Sequence, residues 1–196
     1  MNRIILASAS PRRKELLKQI GIEYEVIPCQ KEEKMTKSLP YEIVQELSYQ
    51  KAEEVCSLLT KQGEEAFTVI GADTVVSFMD MVMGKPKSGE DACEMLNRLQ
   101  GNVHQVYTGV TICSKERNEP AIFYTFYEKT DVSMYPMSSE EVCAYVESGE
   151  PMDKAGAYGI QGRCAAYIQG ICGDYNNVVG LPVGRLYQEM KTRNLL

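Results

Sequence analysis

The sequence has a single histidine, His104, and no two of its cysteines stand in a C-x-x-C spacing. One imidazole cannot build a two-histidine metal centre, and it makes a Ser-His-Asp triad a poor expectation. Lying in a β-branched and aromatic run, His104 reads as a satisfied strand residue. The seven cysteines are odd in number and scattered. That argues for free thiols in a reducing cytosol, and against a disulfide scaffold or zinc knuckle. No apolar run approaches the length needed to span a bilayer, and no signal-peptide pattern is visible. A G-x-x-x-x-G-K-S/T stretch is absent, which excludes a P-loop. Positive charge is in deficit too: 21 Lys and Arg against 27 Asp and Glu give a net charge of −6. Such a balance disfavours nucleic acid polymers and membranes as partners, while leaving room for a basic pocket around a small polyanion. A cytoplasmic location is expected.

What is present suits one sizeable core or two small lobes: 196 residues, 44% hydrophobic and 24% charged. The opening predicts strand 3–8, helix 11–20 and strand 23–28, the start of an α/β protein. Ile43, Val44, Leu47, Val55, Leu58 and Leu59 keep helical spacing from about 40 to 60. "AFTVIGADTVVSFM" reads as two strand-like runs broken at Gly71-Ala72-Asp73, followed by a helix over roughly 89–99. "VHQVYTGVTIC" and "AIFYTFYEKTDVSMY" form an expected antiparallel pair. "SSEEVCAYVES" opens with a capping box, Ser138 with Glu141, and predicts a short helix. "GEPMDKAGAYGIQGRC" reads as a glycine-rich loop, and "AAYIQGICGDYNNVVGLP" as two short strands around a turn before a last helix from Pro182. No repeat or linker divides the chain, so a single α/β domain over 1–196 is expected.

Chemistry can be sought at the corner "SASPRR", residues 8–13. Ser10 suits a helix cap and Pro11 the first helical position. Acidic side chains are normally favoured in that first turn, yet Arg12 and Arg13 stand there. An anion seated between the arginines and the unpaired amides would explain them; so would pairing with surface carboxylates elsewhere. Asp73 ends an apolar strand, where α/β proteins bind ligands, although an Asx turn would also place it there. Glu32 and Glu33 lie in a charged loop, and Lys85 sits between a glycine and a proline. Together with Lys51, these carboxylates and cations suit magnesium-dependent phosphate chemistry.

In order, "ASASPRRKELL", "GADTVV", "GKP", "GEPMDKAGAYGIQG" and "VVGLP" resemble the Maf family of nucleoside triphosphate pyrophosphatases, from Ile4 to about Leu186. The resemblance implies an α/β fold with two lobes around an elongated mixed β-sheet and a central nucleotide-binding cleft. It implies cleavage of a nucleoside triphosphate to the monophosphate and pyrophosphate with a divalent metal cation, Mg²⁺ or Mn²⁺. "DKAGAYGIQG" is similar to the branch acting on dTTP and UTP, modified pyrimidine triphosphates being a nearby alternative. The family's catalytic base falls on Asp73, and its specificity positions on Arg12, Thr74 and Gln161. Glu32, Lys51 and Lys85 carry over as further catalytic residues, with Ser8, Ser10 and Arg13 at the phosphate corner. Glu32 and Asp73 are the expected metal ligands, although "QKEEK" lacks the aliphatic residue often seen before the glutamate. A homodimer is allowed. From a different class comes a non-enzymatic, nucleotide-binding regulator of septum formation.

Overall fold

Ile4, Ile5 and Leu6 are buried in the first strand, β1 (Arg3–Leu6). In the computed structural model, which describes residues 3–196, this strand has parallel partners on both sides. These are β2 (Glu25–Val26) and β3 (Phe67–Phe78). A strand so flanked is covered on both faces, which is why it reads as an unbroken apolar run. Helix α1 (Pro11–Gln19) links β1 to β2, and α2 (Pro40–Lys61) links β2 to β3. Strand β4 (Met81–Met83) then returns antiparallel to β3. The two residues of the turn, Met79 and Asp80, have φ of 49° and 63°, the left-handed geometry of a tight hairpin.

Helix α3 (Gly89–Leu99), the long strands β5 (Val103–Lys115) and β6 (Ile122–Met134), and α4 (Ser139–Glu147) follow. Three short 3-10 turns span Glu150–Asp153, Ala155–Ala157 and Arg163–Tyr167. Strand β7 (Ile168–Cys172) and helices α5 (Tyr175–Val179) and α6 (Val183–Thr192) complete the chain. The seven strands make one mixed sheet in the order β2-β1-β3-β5-β6-β7, with β4 attached to β3. The fold is α/β with a mixed sheet, as expected. No helix among the described residues is long and apolar enough to cross a membrane.

Two compact units can be distinguished. The first holds the chain up to Asp73, Thr108–Glu128 and Gly180–Leu196. Its core includes Ile5, Ala52, Val55, Leu59, Phe67 and Val69. The second holds Thr74–Tyr107 and Lys129–Val179, around Val76, Leu96, Val106, Val132, Tyr145 and Tyr158.

Two sequence expectations are corrected. Gly71 does not break a strand, because β3 is continuous through it. A Cβ there would strike the Ser48 carbonyl and Ala52 of α2, so the glycine allows helix and strand to approach closely. Residues 168–179 form one strand and a short helix instead of two strands. Asp174 Oδ1 accepts the Asn176 N–H at 2.8 Å, which turns the chain into α5. The buried Asn177 amide then donates to the Val106 carbonyl at 3.1 Å and to Thr130 Oγ1 at 2.9 Å. These tertiary hydrogen bonds outweigh the β-preference of Val178 and Val179.

Candidate active site

The serine-arginine corner lies in the first unit. Ser10 caps α1 and Pro11 follows it, but the Ser10 side chain makes no capping bond. It is Ser8 whose hydroxyl organises the corner. That oxygen accepts the Ser10 N–H at 3.3 Å and Arg13 Nη1 at 3.1 Å. Arg13 is buried, and its Nε donates to the Gly180 carbonyl at 2.8 Å. Burial holds the Arg13 guanidinium below its ordinary range, a shift that Asp73 and Glu33 oppose and Arg12 reinforces. The neighbouring Arg12 is only half-buried. Successive helical residues point about 100° apart, so the two arginines meet different surroundings.

Lys51 gathers two carboxylates. Its Nζ lies 2.5 Å from Asp73 Oδ1 and 3.0 Å from Glu33 Oε1. Lys51 and Asp73 expose only 12% and 14% of their side chains, against 44% for Glu33. An ion pair largely withdrawn from water is screened less than a surface pair, so this geometry is better held than a crossing of exposed side chains. Glu32, the residue expected here, is exposed and is not the glutamate on Lys51.

The choice between these neighbours is made by α2. Glu54 accepts the N–H groups of Gln30 at 3.0 Å and Lys31 at 3.1 Å. Gln50 accepts the Lys34 N–H at 3.0 Å and donates to the Lys34 carbonyl at 2.6 Å. Glu46 accepts the Thr36 N–H at 2.9 Å. Residues 46, 50 and 54 are four apart and so share one helix face. They clasp the irregular segment 30–36 and bring Glu33 to Lys51. This latch escaped the sequence reading, though its signal, three acceptors at i, i+4 spacing opposite a charged loop, was there to be read.

Among the described residues no three His, Cys, Asp or Glu side chains converge as a ready-made metal centre. Asp73 and Glu33 do offer two hard oxygen donors around a position where a cation, the Lys51 ammonium, already rests. That donor set fits Mg²⁺ or Mn²⁺, ions that take one or two protein carboxylates and fill the remaining positions with water and phosphate oxygens.

The second unit carries the other three expected residues. Thr74 follows Asp73 in β3 and is half-buried, Lys85 is exposed, and Gln161 is exposed on the turn Gly159–Gly162. His104 is fully buried, with Nε2 at 2.8 Å from the hydroxyl of Tyr158, the residue that precedes the turn. Burial pushes the His104 pKa down to about 4. It is a strand residue as expected but is not fully satisfied, since its buried Nδ1 meets no hydrogen-bond partner among the described residues.

A family model described as Maf-like protein matches residues 3–193. The chain belongs to the Maf family. All five motifs that carried the resemblance fall inside the match. This Maf chain is 56% identical over 199 residues to a protein of Agathobacter rectalis named dTTP/UTP pyrophosphatase, with 97% of each chain covered. A protein of Lachnoclostridium phytofermentans with the same name is 47% identical over 191 residues, covering 97% of this chain and 95% of its own. Among solved structures, the Maf chain is similar to a HAM1 protein from Coxiella burnetii. The TM-score is 0.48 at 15% identity, covering 98% of this chain and 100% of that one.

Proposed function

We propose that this chain hydrolyses dTTP and UTP to the nucleoside monophosphate and pyrophosphate in the cytoplasm, residues 1–196 acting as a single catalytic domain. The observation that carries the reading is the pair of carboxylates on Lys51, within electrostatic reach of the buried Arg13. A protein that only bound nucleotide would have no use for a carboxylate so largely withdrawn from water in such a place. The names of relatives about half identical along the whole chain support the same activity and the same two substrates. The seven free cysteines agree with a reducing compartment.

Asp73 accepts the proton of the water that attacks the α-phosphorus, and pyrophosphate leaves. Lys51, Arg13 and Lys85 offset the charge that builds on the phosphate oxygens, which positioned cations do best where water is scarce. The hydroxyls of Ser8 and Ser10 and the first amides of α1 hold phosphate oxygens. Arg12 and Thr74 serve nucleotide selection. Gln161 reads the O4 and N3–H edge shared by uracil and thymine, since its amide offers both a donor and an acceptor. Asp73 and Glu33, the latter in the place expected for Glu32, would hold a divalent cation, which would supply further charge neutralisation at the phosphates. The test is incubation with dTTP or UTP and Mg²⁺, assayed for products. Monophosphate and pyrophosphate in equal amounts are expected. Nucleotide binding without turnover would instead support the septum regulator.

A further inference from the structure

Gln161 stands on a turn whose two ends are tied to one carboxylate. The turn is closed by the Gly162 N–H donating to the Gly159 carbonyl at 3.1 Å. On its outgoing side, the Arg163 N–H donates to Glu150 Oε2 at 3.1 Å. On its incoming side, the Gly159 N–H donates to the Tyr145 hydroxyl at 3.1 Å, and that hydroxyl donates to Glu150 Oε1 at 3.0 Å. One side chain thus holds both ends, directly at Arg163 and through Tyr145 at Gly159. The fit is close, because a Cβ at position 162 would run into the Glu150 carboxylate. Tyr145 is itself fixed, buried in the core of the second unit on α4.

We propose that Glu150, acting through Tyr145, is the positioning residue that sets Gln161 for selection of the nucleobase. The inference rests on the reading of Gln161 as the group that meets the base. Glu150 touches neither base nor phosphate in this account; it fixes the backbone that carries the reader. Both of its oxygens are used as acceptors, each for a different donor. A glutamine in its place keeps one acceptor and sets an NH₂ against the other donor, releasing one end of the turn. A side chain that discriminates by hydrogen bonds must be held to a fraction of an ångström, so a loosened turn costs selectivity before it costs the fold.

The experiment measures kcat and KM for dTTP, UTP and CTP on the 196-residue chain. The variants are Glu150→Gln, Glu150→Asp, Tyr145→Phe, Gln161→Ala and the double variant Glu150→Gln/Gln161→Ala, with thermal midpoints alongside. Glu150→Gln and Tyr145→Phe are each expected to compress the dTTP:CTP ratio of kcat/KM about ten-fold, chiefly through KM for dTTP. Glu150→Asp, which keeps two acceptor oxygens, should retain more of the ratio. The double variant should compress it no further than Gln161→Ala alone. A ratio that collapses in Gln161→Ala but survives in Glu150→Gln and Tyr145→Phe overturns the proposal and leaves the reading of Gln161 standing. A ratio that survives in Gln161→Ala overturns that reading, and the proposal with it. If Glu150→Gln does not fold, Tyr145→Phe decides, since it keeps the buried ring and removes only the linking hydroxyl.

Discussion

Around Lys51, position is set by charge: an ammonium between two carboxylates, close to a buried guanidinium. Around Gln161, position is set by two backbone N–H groups, that of Arg163 on the Glu150 carboxylate and that of Gly159 on the Tyr145 hydroxyl, and by Gly162, which lets the carboxylate lie against the chain. The two regions therefore fail in different ways. Charges act over several ångströms and survive small displacements, but removing one alters the whole cluster. Hydrogen bonds to backbone depend on close, aligned geometry and are intolerant of displacement. In the proposed reaction the first construction serves chemistry on any triphosphate and the second a choice among bases.

The largest effect should come from the charge cluster. Asp73→Asn is expected to fold and bind nucleotide but to turn over at least ~10²-fold more slowly, the usual loss when a general base is removed. Steady-state kinetics on dTTP will check this, and activity above a tenth of wild type would contradict it. Glu33→Gln should lower turnover by about ten-fold or more, while Glu32→Gln stays within about two-fold, because only Glu33 rests on Lys51. Equal losses in the two variants would mean that the latch on α2 does not choose between them.

Gln161, the proposed reader of the base, should respond in selectivity. Gln161→Glu removes the donor to O4 and offers an acceptor to the cytosine amino group. The dTTP:CTP ratio of kcat/KM is therefore expected to fall about ten-fold or more, from the ~1–3 kcal/mol that a polar group costs when a bound base covers it and leaves it unpaired. The smallest effect concerns pH. The His104 pKa of about 4 in the folded chain lies below its ordinary 6.5. Between these values the unfolded chain binds a proton that the folded chain does not, so stability falls as pH drops from 6.5 towards 4. This group alone should remove about 1.5 kcal/mol between pH 6.5 and 5. His104→Gln keeps a donor for Tyr158 and has no titrating ring. Its denaturation midpoints should be flatter over that interval than those of wild type.

How legible each region was in the sequence follows the same division. Two local helix signals match the structure, while the Ser10 side chain makes no cap bond. The capping box of Ser138 and Glu141 is formed, and α3 begins where Ser88 accepts the Asp91 N–H and ends at Leu99. Long-range packing was not legible in the same way. Gly71 looked like a break because the helix that needs its missing side chain passes some 20 residues earlier in the chain. Val178 and Val179 looked like a strand because the hydrogen bonds of Asn177 reach residues 106 and 130. Glu32 and Glu33 are chemically identical and adjacent, and what separates them is a clasp at residues 46, 50 and 54. Tyr145 reads as a residue of a short helix and Glu150 as one of a glycine-rich loop, and nothing local joins them to the turn that carries Gln161, because their hydrogen bonds reach residues 159 and 163.

The division of labour between the two regions is tested most directly by one set of kcat/KM values, for dTTP, UTP and CTP on wild type, Asp73→Asn and Gln161→Ala. Asp73→Asn is expected to lower all three substrates by the same factor and leave their ranking untouched. Gln161→Ala is expected to bring the three substrates together while CTP turnover stays near wild type. A changed ranking in Asp73→Asn, or an equal loss on all three substrates in Gln161→Ala, would contradict the account.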